Sequence, residues 1–413
     1  MGMLKKHFFY KRKELFSLMT TCGVICCATT ASAGSFQNFA ALVYSNPAEL
    51  FLTVPKKNQL ILGDTYVSPN ITFYGTVSRL PYVTTAAGTG QTSNIASYNL
   101  PYGRMARKLS DQWMVGLDVT EPFTTNVMYN SATSIARYAV TKLKLTSVDV
   151  APNVAYQFAG KLSDVAVGVG LDAMYLSADL EQISFIPLLG NGAPGHAKAT
   201  NKANGWAYGW HAGAMYHALK GTFLSLNYFS GITPTVTGTS TYTGSVSTHG
   251  AATVPLPATS TFSLKQFLNP DLMMFFQAHY SQWNRLTTVL LKNTAGPSST
   301  NLLSFYYHNS WRWDFGTRYQ LFPRIKVGAL VAFDNTPTNN LYRNLSLPDG
   351  NRTVLGLGAE YQLTPEVAIG GTYSHTYFDK KILLNTANST GVHTQGSAAL
   401  SGNSYGLQLT VNC

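Results

Sequence analysis

Apolar and polar residues alternate with a period of two along much of this chain. The clearest example is residues 305–321, FYYHNSWRWDFGTRYQL, in which aromatic and polar side chains fall on opposite parities. Successive side chains of a β-strand point to opposite faces, so this stretch predicts a strand with one apolar face and one polar face. The apolar face would carry Phe305, Tyr307, Trp311, Trp313, Phe315, Tyr319 and Leu321, and the polar face His308, Ser310, Arg312, Asp314, Arg318 and Gln320.

The same alternation recurs along the chain, which indicates a protein built mainly from β-strands. In residues 206–216 the bulky aromatic side chains share one face, and small or polar side chains share the other. Aromatic residues outside and small or polar residues inside are typical of a barrel that has lipid around it. The other segments with this pattern are 148–158, 165–175, 325–333, 355–363, 367–377 and 405–413.

We therefore predict an all-β fold, a transmembrane antiparallel β-barrel. Backbone groups that face lipid must all be paired, so the sheet has to close on itself. Residues 34–413, at about 27 residues per strand and connection, favour about 14 strands, with about 12 or 16 as alternatives. Tight turns are predicted at 321–324 and 362–366, and long extracellular loops in the Gly-, Thr- and Ser-rich stretches 190–205, 233–258, 293–302 and 385–403.

Composition favours a membrane protein over a soluble one. Charged residues make up 11% of the chain, against about 25% in typical soluble domains. A soluble β-sandwich or propeller would also alternate, but it would explain neither the low charge nor the aromatic faces. No stretch after the first 33 residues is long and apolar enough for a transmembrane helix.

The N-terminus predicts export. A basic segment, MGMLKKHFFYKRK, precedes an apolar stretch and the small residues Ala31-Ser32-Ala33, so residues 1–33 are predicted to be a signal peptide. A lipoprotein anchor at Cys26 or Cys27 is disfavoured, because the residues before these cysteines are poor for lipidation. Cys413 is then the one cysteine of the mature chain, which excludes an internal disulfide.

Charge narrows the range of partners. Removal of the signal peptide takes away five basic residues and one acidic residue, and lowers the net charge from +11 to +7. A basic surface favours anionic partners such as lipopolysaccharide or carboxylate ligands. The lysines and arginines are scattered rather than clustered, so nucleic acid is not an expected partner.

Several stretches resemble the FadL-type transporters of long-chain fatty acids and hydrocarbons in Gram-negative outer membranes. The strongest are FDNTPTNNLYRNLSLPDGNR at 333–352 and LGLGAEYQLTPEVAIGGTYSHTYFD at 355–379. They are similar to a series of motifs near the C-terminal end of the family's sequences: Asp-x-Thr-Pro, Tyr-Arg, Leu-Pro-Asp-Gly-x-Arg and Gly-Tyr-x-His. Similar stretches occur at 101–123, 136–158, 205–216 and 256–264, in consistent order.

The resemblance implies an outer-membrane barrel of 14 strands, expected to act as a monomer, with an N-terminal hatch in its lumen. The implied hatch is residues 34–57 and the implied barrel is residues 58–413. The family's Asn-Pro-Ala hatch motif matches Asn46, Pro47 and Ala48. The chain departs from the family at two places. The segment between the mature N-terminus and this motif is shorter than usual, so the plug is expected to be less complete. The last residue is Cys413, where an aromatic residue is common.

The implied activity is diffusion of hydrophobic compounds through the hatch-plugged barrel, with release sideways through a kinked strand. We expect that strand at 113–123, where Gly116 weakens a strand and Pro122 lacks a ladder donor. Pro122 could equally mark the ordinary end of the strand. Phe36 could reach into the lumen as an apolar contact for ligand, or belong to a disordered tip.

Arginines are the candidate partners of a ligand carboxylate, because a guanidinium can bind it with two hydrogen bonds. Arg312 and Arg318 lie on the polar face of their strand, where internal salt bridges, for example to Asp314, are the alternative role. Arg343 and Arg352 lie in the family's loop signature, where loop structure or lipopolysaccharide contact is the alternative.

No motif predicts an enzyme, a metal site or a cofactor. The chain has no Gly-x-Ser-x-Gly elbow, no His-Glu-x-x-His and no phosphate loop. His211 and His217 are interpreted as lumen-lining residues rather than metal ligands. The rival functions are a general porin for polar solutes, an outer-membrane enzyme acting on lipids, and an adhesin-like barrel.

Overall fold

The computed structural model describes residues 45–54, 56–79, 89–186, 195–296, 299–387 and 392–413. The predicted signal peptide and Phe36 lie outside this part of the chain. The described helical segments are all short: Pro47–Glu49, Leu50–Thr53, Ile135–Tyr138, Gly160–Leu162 and Trp283–Arg285. In the ranges above, no helix is both long and apolar enough to cross a membrane.

Strands make up most of the described chain. The first ten are β1 Asn58–Arg79, β2 Thr89–Ser93, β3 Tyr98–Lys108, β4 Trp113–Thr120, β5 Thr125–Met128, β6 Lys142–Gln157, β7 Val165–Ile186, β8 Gly195–Leu219, β9 Thr222–Phe229 and β10 Thr235–Tyr242. The others are β11 Ser245–Thr253, β12 Thr259–Phe267, β13 Leu272–Ser281, β14 Thr288–Lys292, β15 Thr300–Ser304, β16 Ser310–Phe322, β17 Ile325–Asp334, β18 Arg352–Gln362, β19 Val367–Phe378, β20 Ile382–Ala387 and β21 Val392–Asn412.

These strands form one closed antiparallel barrel of 14 strands. The barrel closes where β1 pairs with β21, from Gln59 opposite Asn412 to Arg79 opposite Val392. Seven barrel strands are interrupted and consist of two segments each: β2 with β3, β4 with β5, β9 with β10, β11 with β12, β13 with β14, β15 with β16, and β19 with β20. The predicted fold class and strand number are confirmed.

The side chains divide as the period-two pattern predicts. On β8 the side chains of Trp206, Tyr208 and Trp210 are 54%, 76% and 50% exposed, whereas His211 is 1% exposed. Odd and even positions therefore lie on opposite sides of the wall. The aromatic positions cover the outside of the barrel and the polar ones line its lumen.

The prediction of one continuous apolar face over 305–321 is wrong. Phe305 and Tyr307 are buried inside, whereas Trp311 and Phe315 are exposed on the outside. The strand is interrupted between β15 and β16, and Tyr306 in the interruption has a positive φ of 43°. This break reverses the parity, so the two halves of the stretch present their aromatic residues to opposite sides.

The four long loops are also shorter than predicted. Residues 195–205 belong to β8, much of 233–258 forms β10 and β11, residue range 300–302 lies in β15, and residues 392–403 belong to β21. Their Thr, Ser and Gly content reflects strands that continue beyond the apolar belt. Such strands contact water on the outside and need no aromatic face there.

Apolar side chains fill one region of the lumen. Its largest fully buried members include Phe73, Tyr129, Trp283 and Leu345. Leu345 belongs to the connection between β17 and β18, which folds inward far enough for Tyr129 Oη to donate to its carbonyl at 3.3 Å. The barrel therefore encloses a packed apolar interior as well as polar wall positions.

Candidate functional site

Asn46 fixes the start of the hatch to the inner wall. Its Oδ1 accepts a hydrogen bond from the Ala48 backbone N–H at 2.9 Å and caps the turn Pro47–Glu49. Its Nδ2 donates to the carbonyls of Ala214 on β8, at 3.2 Å, and Leu226 on β9, at 3.0 Å. One side chain thus shapes the turn and attaches it to two neighbouring strands.

Two paired glycines make room for this turn. Gly168 on β7 lies opposite Gly213 on β8 in the strand register. A β-carbon on Gly213 would lie 1.9 Å from Asn46 Oδ1, and one on Gly168 would lie 2.8 Å from Pro47 Cβ. The wall at this point accepts the hatch only because both residues lack a side chain. We call this pair the glycine notch.

A buried ion pair holds the next residue of the hatch. Glu49 binds Lys265 of β12 at 2.5 Å and accepts a hydrogen bond from Ser225 of β9, also at 2.5 Å. Burial would raise the pKa of the Glu49 carboxyl, but Lys265 and Ser225 outweigh burial and hold this pKa below its usual range. Glu49 is therefore ionised at neutral pH and paired.

The residue before the motif joins a polar network in the wall. Ser45 Oγ donates to Asp118 Oδ2 at 2.6 Å. Arg104 of β3 binds the same carboxylate with two hydrogen bonds, of 2.6 Å and 2.9 Å. Downstream, Leu50 is fully buried against Met114 and Ala155. The hatch thus has both polar and apolar contacts with the wall.

The barrel wall has a gap beside this network. β4 ends at Thr120 and β5 begins at Thr125, so residues 121–124 interrupt the third barrel strand. Across from them, residues 98–102 of β3 pair with β1, and the pairing of β3 with β4 begins only at Gly103. Within the described residues, no backbone ladder joins the second and third barrel strands here.

Side chains attach the interruption to β6, the strand on the side away from the gap. The Phe123 N–H donates to Ser147 Oγ at 2.7 Å, and the Ser147 N–H donates to Thr124 Oγ1 at 3.0 Å. Pro122 lies in the interruption and has no N–H to donate. Gly116 lies away from it, in the regular part of β4, opposite Ala106 and Asn153.

A large cavity lies in the lumen on the side where β14 and β15 run. Its volume is about 610 Å³. Apolar side chains from several strands and from the connection between β17 and β18 line it, including Leu143, Leu180, Val236, Val289, Leu303 and Leu347. Lys142, Lys202 and Lys292 also line it. The cavity can hold an extended apolar molecule, with cations at its edge.

These lysines differ in how far they are neutralised. Lys142 binds Asp179 at 2.5 Å, and Lys202 lies 3.9 Å from the same carboxylate. Lys292 is exposed, and no ion pair to it occurs among the residues with described positions. Lys292 is thus the lysine of this cavity that is best able to receive an anionic group.

Two of the four predicted arginines lie on the wall strand β16. Arg312 is 2% exposed, and its Nε donates to Asp314 Oδ1 at 2.7 Å. His279 of β13 contacts the same aspartate at 3.2 Å. Arg318 is half-buried on the same strand. The structure therefore places Arg312 in an internal ion network.

The other two arginines hold the connection 335–351. Arg352 binds Asp334 and, at 2.8 Å, Asp349. Arg343 donates to Asn340 Oδ1 at 2.5 Å and to the Leu383 carbonyl at 2.9 Å. Burial raises the pKa of Asp349, and Arg352 lowers it only in part. These contacts keep the connection folded into the mouth of the barrel.

Sequence reasoning missed the wall partners of the hatch. Lys265, Gly168 and Gly213 carry no local signal, because each is defined by a contact with a residue far away in the chain. It also missed Asp172 as the partner of His211, at 2.8 Å, because the acid lies on the neighbouring strand. Lumen-facing parity identified His211 itself, but strand register was needed to find its partner.

The fold and the site together define a barrel with a hatch, an apolar cavity and a wall gap, which is the architecture of an outer-membrane transporter. Residues 20–412 match the family described as outer membrane protein transport protein (OMPP1/FadL/TodX), and the chain belongs to this family. The protein is thus located in the outer membrane.

Relatives in the family align with most of this chain. Outer membrane protein P1 of Haemophilus influenzae is 24% identical and is aligned over 92% of this chain and 91% of the relative. The long-chain fatty acid transport protein of Salmonella typhi is 23% identical over 83% of each chain.

Solved structures share the fold. A Pseudomonas aeruginosa FadL homologue superposes with a TM-score of 0.77 at 19% identity, covering 95% of this chain and 99% of the other. The toluene transporter TbuX of Ralstonia pickettii superposes with a TM-score of 0.64 at 17% identity, with the same coverage of each chain.

Proposed function

We propose that this protein carries long-chain fatty acids or similar hydrophobic compounds across the outer membrane by passive diffusion. The observation that supports this best is the 610 Å³ cavity lined largely by apolar side chains inside a barrel. A pore for polar solutes gains nothing from such a lining, whereas an apolar ligand gains about 25 cal/mol for each Å² that it buries.

The proposed route has three stages: entry, binding in the cavity and release. The ligand enters between the strand ends near β10, β14 and the connection 335–351, and its tail occupies the cavity. A carboxylate, where the ligand has one, is held near the rim by Lys292, with Arg318 as a further candidate. The arginines Arg312 and Arg352 serve this route by fixing the wall and the connection.

Release is proposed to be lateral, through the gap at residues 121–124. The gap lies next to the attachment of the hatch, because Ser45 and Pro122 line the same small pocket. Loosening of the Asn46 contacts would let the ligand pass from the lumen to the gap. Pro122 acts as part of the interruption, whereas Gly116 of β4 allows close packing against Asn153 of β6.

The names of relatives support the class of ligand. One relative is a long-chain fatty acid transport protein, and one similar structure is a toluene transporter. Both cargoes are hydrophobic, and an apolar cavity suits either. We further propose that the protein acts as a monomer, with lipopolysaccharide as an anionic partner, and that Phe36 contacts the ligand.

Uptake by living cells tests this function. Cells that lack their own transporter would express the protein and receive labelled oleate or labelled toluene. We expect uptake of at least one of them well above that of cells with an empty vector. Equal uptake in the two cell lines, with the barrel correctly assembled, would contradict the proposal.

A matched pair of variants links uptake to the cavity. Val289 lines the cavity and is 5% exposed, whereas its neighbour Leu290 points outward and is 39% exposed. Val289→Trp should fill the cavity and strongly reduce uptake, and Leu290→Trp should leave it unchanged. A general porin would instead show large steady conductance in planar bilayers and little dependence on Val289.

A further inference from the structure

A second, smaller pocket lies where the hatch meets the wall gap. It is lined by Ser45 of the hatch, by Pro122 and Phe123 of the interruption, and by acidic side chains of the wall. Asp118 on β4, Asp149 on β6, Asp172 on β7 and His211 on β8 occupy four adjacent barrel strands. We call these four residues the acidic row.

The strand register explains how the row forms. Asp149 lies opposite Thr120 on one side and opposite Met174 on the other, so that Asp118 and Asp172 are its diagonal neighbours. Diagonal side chains on one face of a sheet are about 7–8 Å apart. All four side chains of the row face the lumen and are at most 5% exposed.

The row has more acids than bases. Arg104 binds Asp118 with two hydrogen bonds, and His211 Nδ1 lies 2.8 Å from Asp172 Oδ1. The carboxyl group of Asp149 has no hydrogen bond or ion pair with any described residue. Its Oδ1 is buried without a partner, and so is Oδ2 of Asp172.

Other charges nearby already have partners or lie outside the row. Glu121, in the interruption, accepts a hydrogen bond from Thr124 and interacts with Asp64 and Lys144. The Arg285 guanidinium packs over Gly231 and donates to Thr233. Glu49 of the hatch is paired with Lys265. None of these contacts satisfies the two oxygens left without partners.

Both unsatisfied atoms are hydrogen-bond acceptors in a buried site. A buried polar atom without a partner is unfavourable, so the pocket favours a ligand that brings donors. An amine or hydroxyl group supplies donors, whereas an ionised carboxylate supplies acceptors alone. A carboxylate would also meet the like charges of the row.

Apolar side chains complete the lining of the pocket. Phe123, Met174, Ile232 and Leu256 line it, and they belong to the same buried cluster as Leu143, Val289 and Leu303 around the large cavity. A head group at the acidic row would therefore place the beginning of its hydrocarbon tail among apolar side chains.

We propose that the acidic row is a binding site for the head group of an amphiphile that donates hydrogen bonds, an amine or an alcohol, on its way to the wall gap. The site rests on the proposed transport function and adds a class of head group to its cargo, because the acidic row binds donor head groups whereas Lys292 at the rim of the large cavity receives a carboxylate. Asp149 is the specificity-determining residue.

Two readouts test the site with matched ligands, dodecylamine and dodecanoate, at pH 7.5. The first is equilibrium binding to the purified full-length protein in amphipol, and the second is uptake by cells that lack their own transporter. We expect dodecylamine to bind the wild type about tenfold or more tightly than dodecanoate, because hydrogen bonds to charged groups are strong.

Substitution at the row should change this preference. Asp149→Asn keeps the shape but replaces one carboxyl oxygen with an amide group that donates hydrogen bonds, and it should reduce the preference for dodecylamine several-fold. Asp271→Asn is the matched control, because Asp271 lies exposed in the turn between β12 and β13, and it should keep the wild-type preference. Assembly of each barrel is checked by its heat-dependent mobility in gel electrophoresis.

The outcomes separate the two proposals. Equal binding of the two ligands to the wild type, or an unchanged preference in a folded Asp149→Asn barrel, would overturn the acidic row as a head-group site. A preference in binding without uptake of dodecylamine, oleate or toluene would support the site and contradict the transport function instead.

Discussion

The side-chain oxygen of Asn46 occupies the space above Gly213 in which any other residue would place its β-carbon. That β-carbon would lie 1.9 Å from Asn46 Oδ1, much closer than non-bonded atoms approach. The hatch and the wall are therefore fitted to each other at this point. The Asn-Pro-Ala motif has a complement in the barrel, the glycine notch.

Gly213→Ala should displace the hatch while the barrel still forms. The added methyl group meets Asn46, and the contact is relieved most easily if the hatch moves away. We expect faster hydrogen exchange in residues 46–54, measured by mass spectrometry. Gly371→Ala is the control, because no heavy atom lies within 4 Å of its added β-carbon. Equal exchange in the two variants would contradict the fit described above.

Asn46→Asp should weaken the hatch although it conserves shape. The aspartate still caps the turn, but it has no N–H to donate to the carbonyls of Ala214 and Leu226. Its second carboxyl oxygen would lie against these carbonyl oxygens and repel them. A lost hydrogen bond with an unsatisfied buried partner costs about 1–3 kcal/mol. Limited proteolysis of the hatch in folded protein measures the effect. If Asn46→Asp resisted protease as well as the wild type, the two wall hydrogen bonds would be unimportant.

The Glu49–Lys265 pair should contribute far more than an exposed pair of the same protein. Its side chains are 14% and 15% exposed, so Lys265→Met leaves the buried Glu49 carboxylate without its cation. Breaking such a pair costs about 3–5 kcal/mol of stability. The double variant Glu49→Gln with Lys265→Met should recover part of this loss. Hydrogen exchange of the hatch gives the free energies of opening.

The comparison pair is Lys56–Glu366, in which Lys56 Nζ lies 3.3 Å from Glu366 Oε1 and the two side chains are 43% and 42% exposed. Such a pair contributes about 0–1 kcal/mol, so Lys56→Met should have little effect on hatch opening. Similar losses from Lys56→Met and Lys265→Met would show that burial of the Glu49–Lys265 pair does not matter.

Ser147→Ala should disturb the wall gap more than Pro122→Ala. Ser147 Oγ accepts the buried N–H of Phe123 at 2.7 Å, and no acceptor replaces it after truncation. We expect a loss of about 1–3 kcal/mol for Ser147→Ala, and a smaller effect for Pro122→Ala, since the side-chain hydrogen bonds remain. Thermal unfolding and oleate uptake measure the two variants. A larger effect of Pro122→Ala would show that the proline, rather than the side-chain hydrogen bonds of Ser147, determines the structure of the interruption.

Arg352→Met should release the connection 335–351 because it leaves Asp349 buried without its cation and leaves Asp334 with only the more distant Arg312, at 3.7 Å. Breaking such a buried network costs about 3–5 kcal/mol, and protease should then cut within 335–351. Arg318→Met, on the half-buried arginine of β16, should leave that connection protected. Protection in the Arg352→Met variant would indicate that the connection is held by its apolar residues, Leu345 and Leu347, alone.

The sequence by itself determined the architecture, because alternation along a strand is a local property. Trp206, Tyr208 and Trp210 fall on one parity and His211 on the other in any register, so the inside and outside of β8 can be read directly. The prediction from this pattern failed at 305–321, because the positive φ of Tyr306 reverses the parity. A tyrosine gives no sign in the sequence of such a backbone conformation. The prediction failed again in the Thr-rich segments, where strands beyond the lipid need no apolar face.

Only the tertiary structure decided what surrounds the site. Glu49 and Lys265 are 216 positions apart, and Asp149 meets Asp118 and Asp172 only because three strands align in one register. The motif Asn46-Pro47-Ala48 could be found in the sequence, whereas its notch could not. Glycines are common in barrel strands, and the contact that makes Gly168 and Gly213 special exists only once the barrel has closed around the hatch.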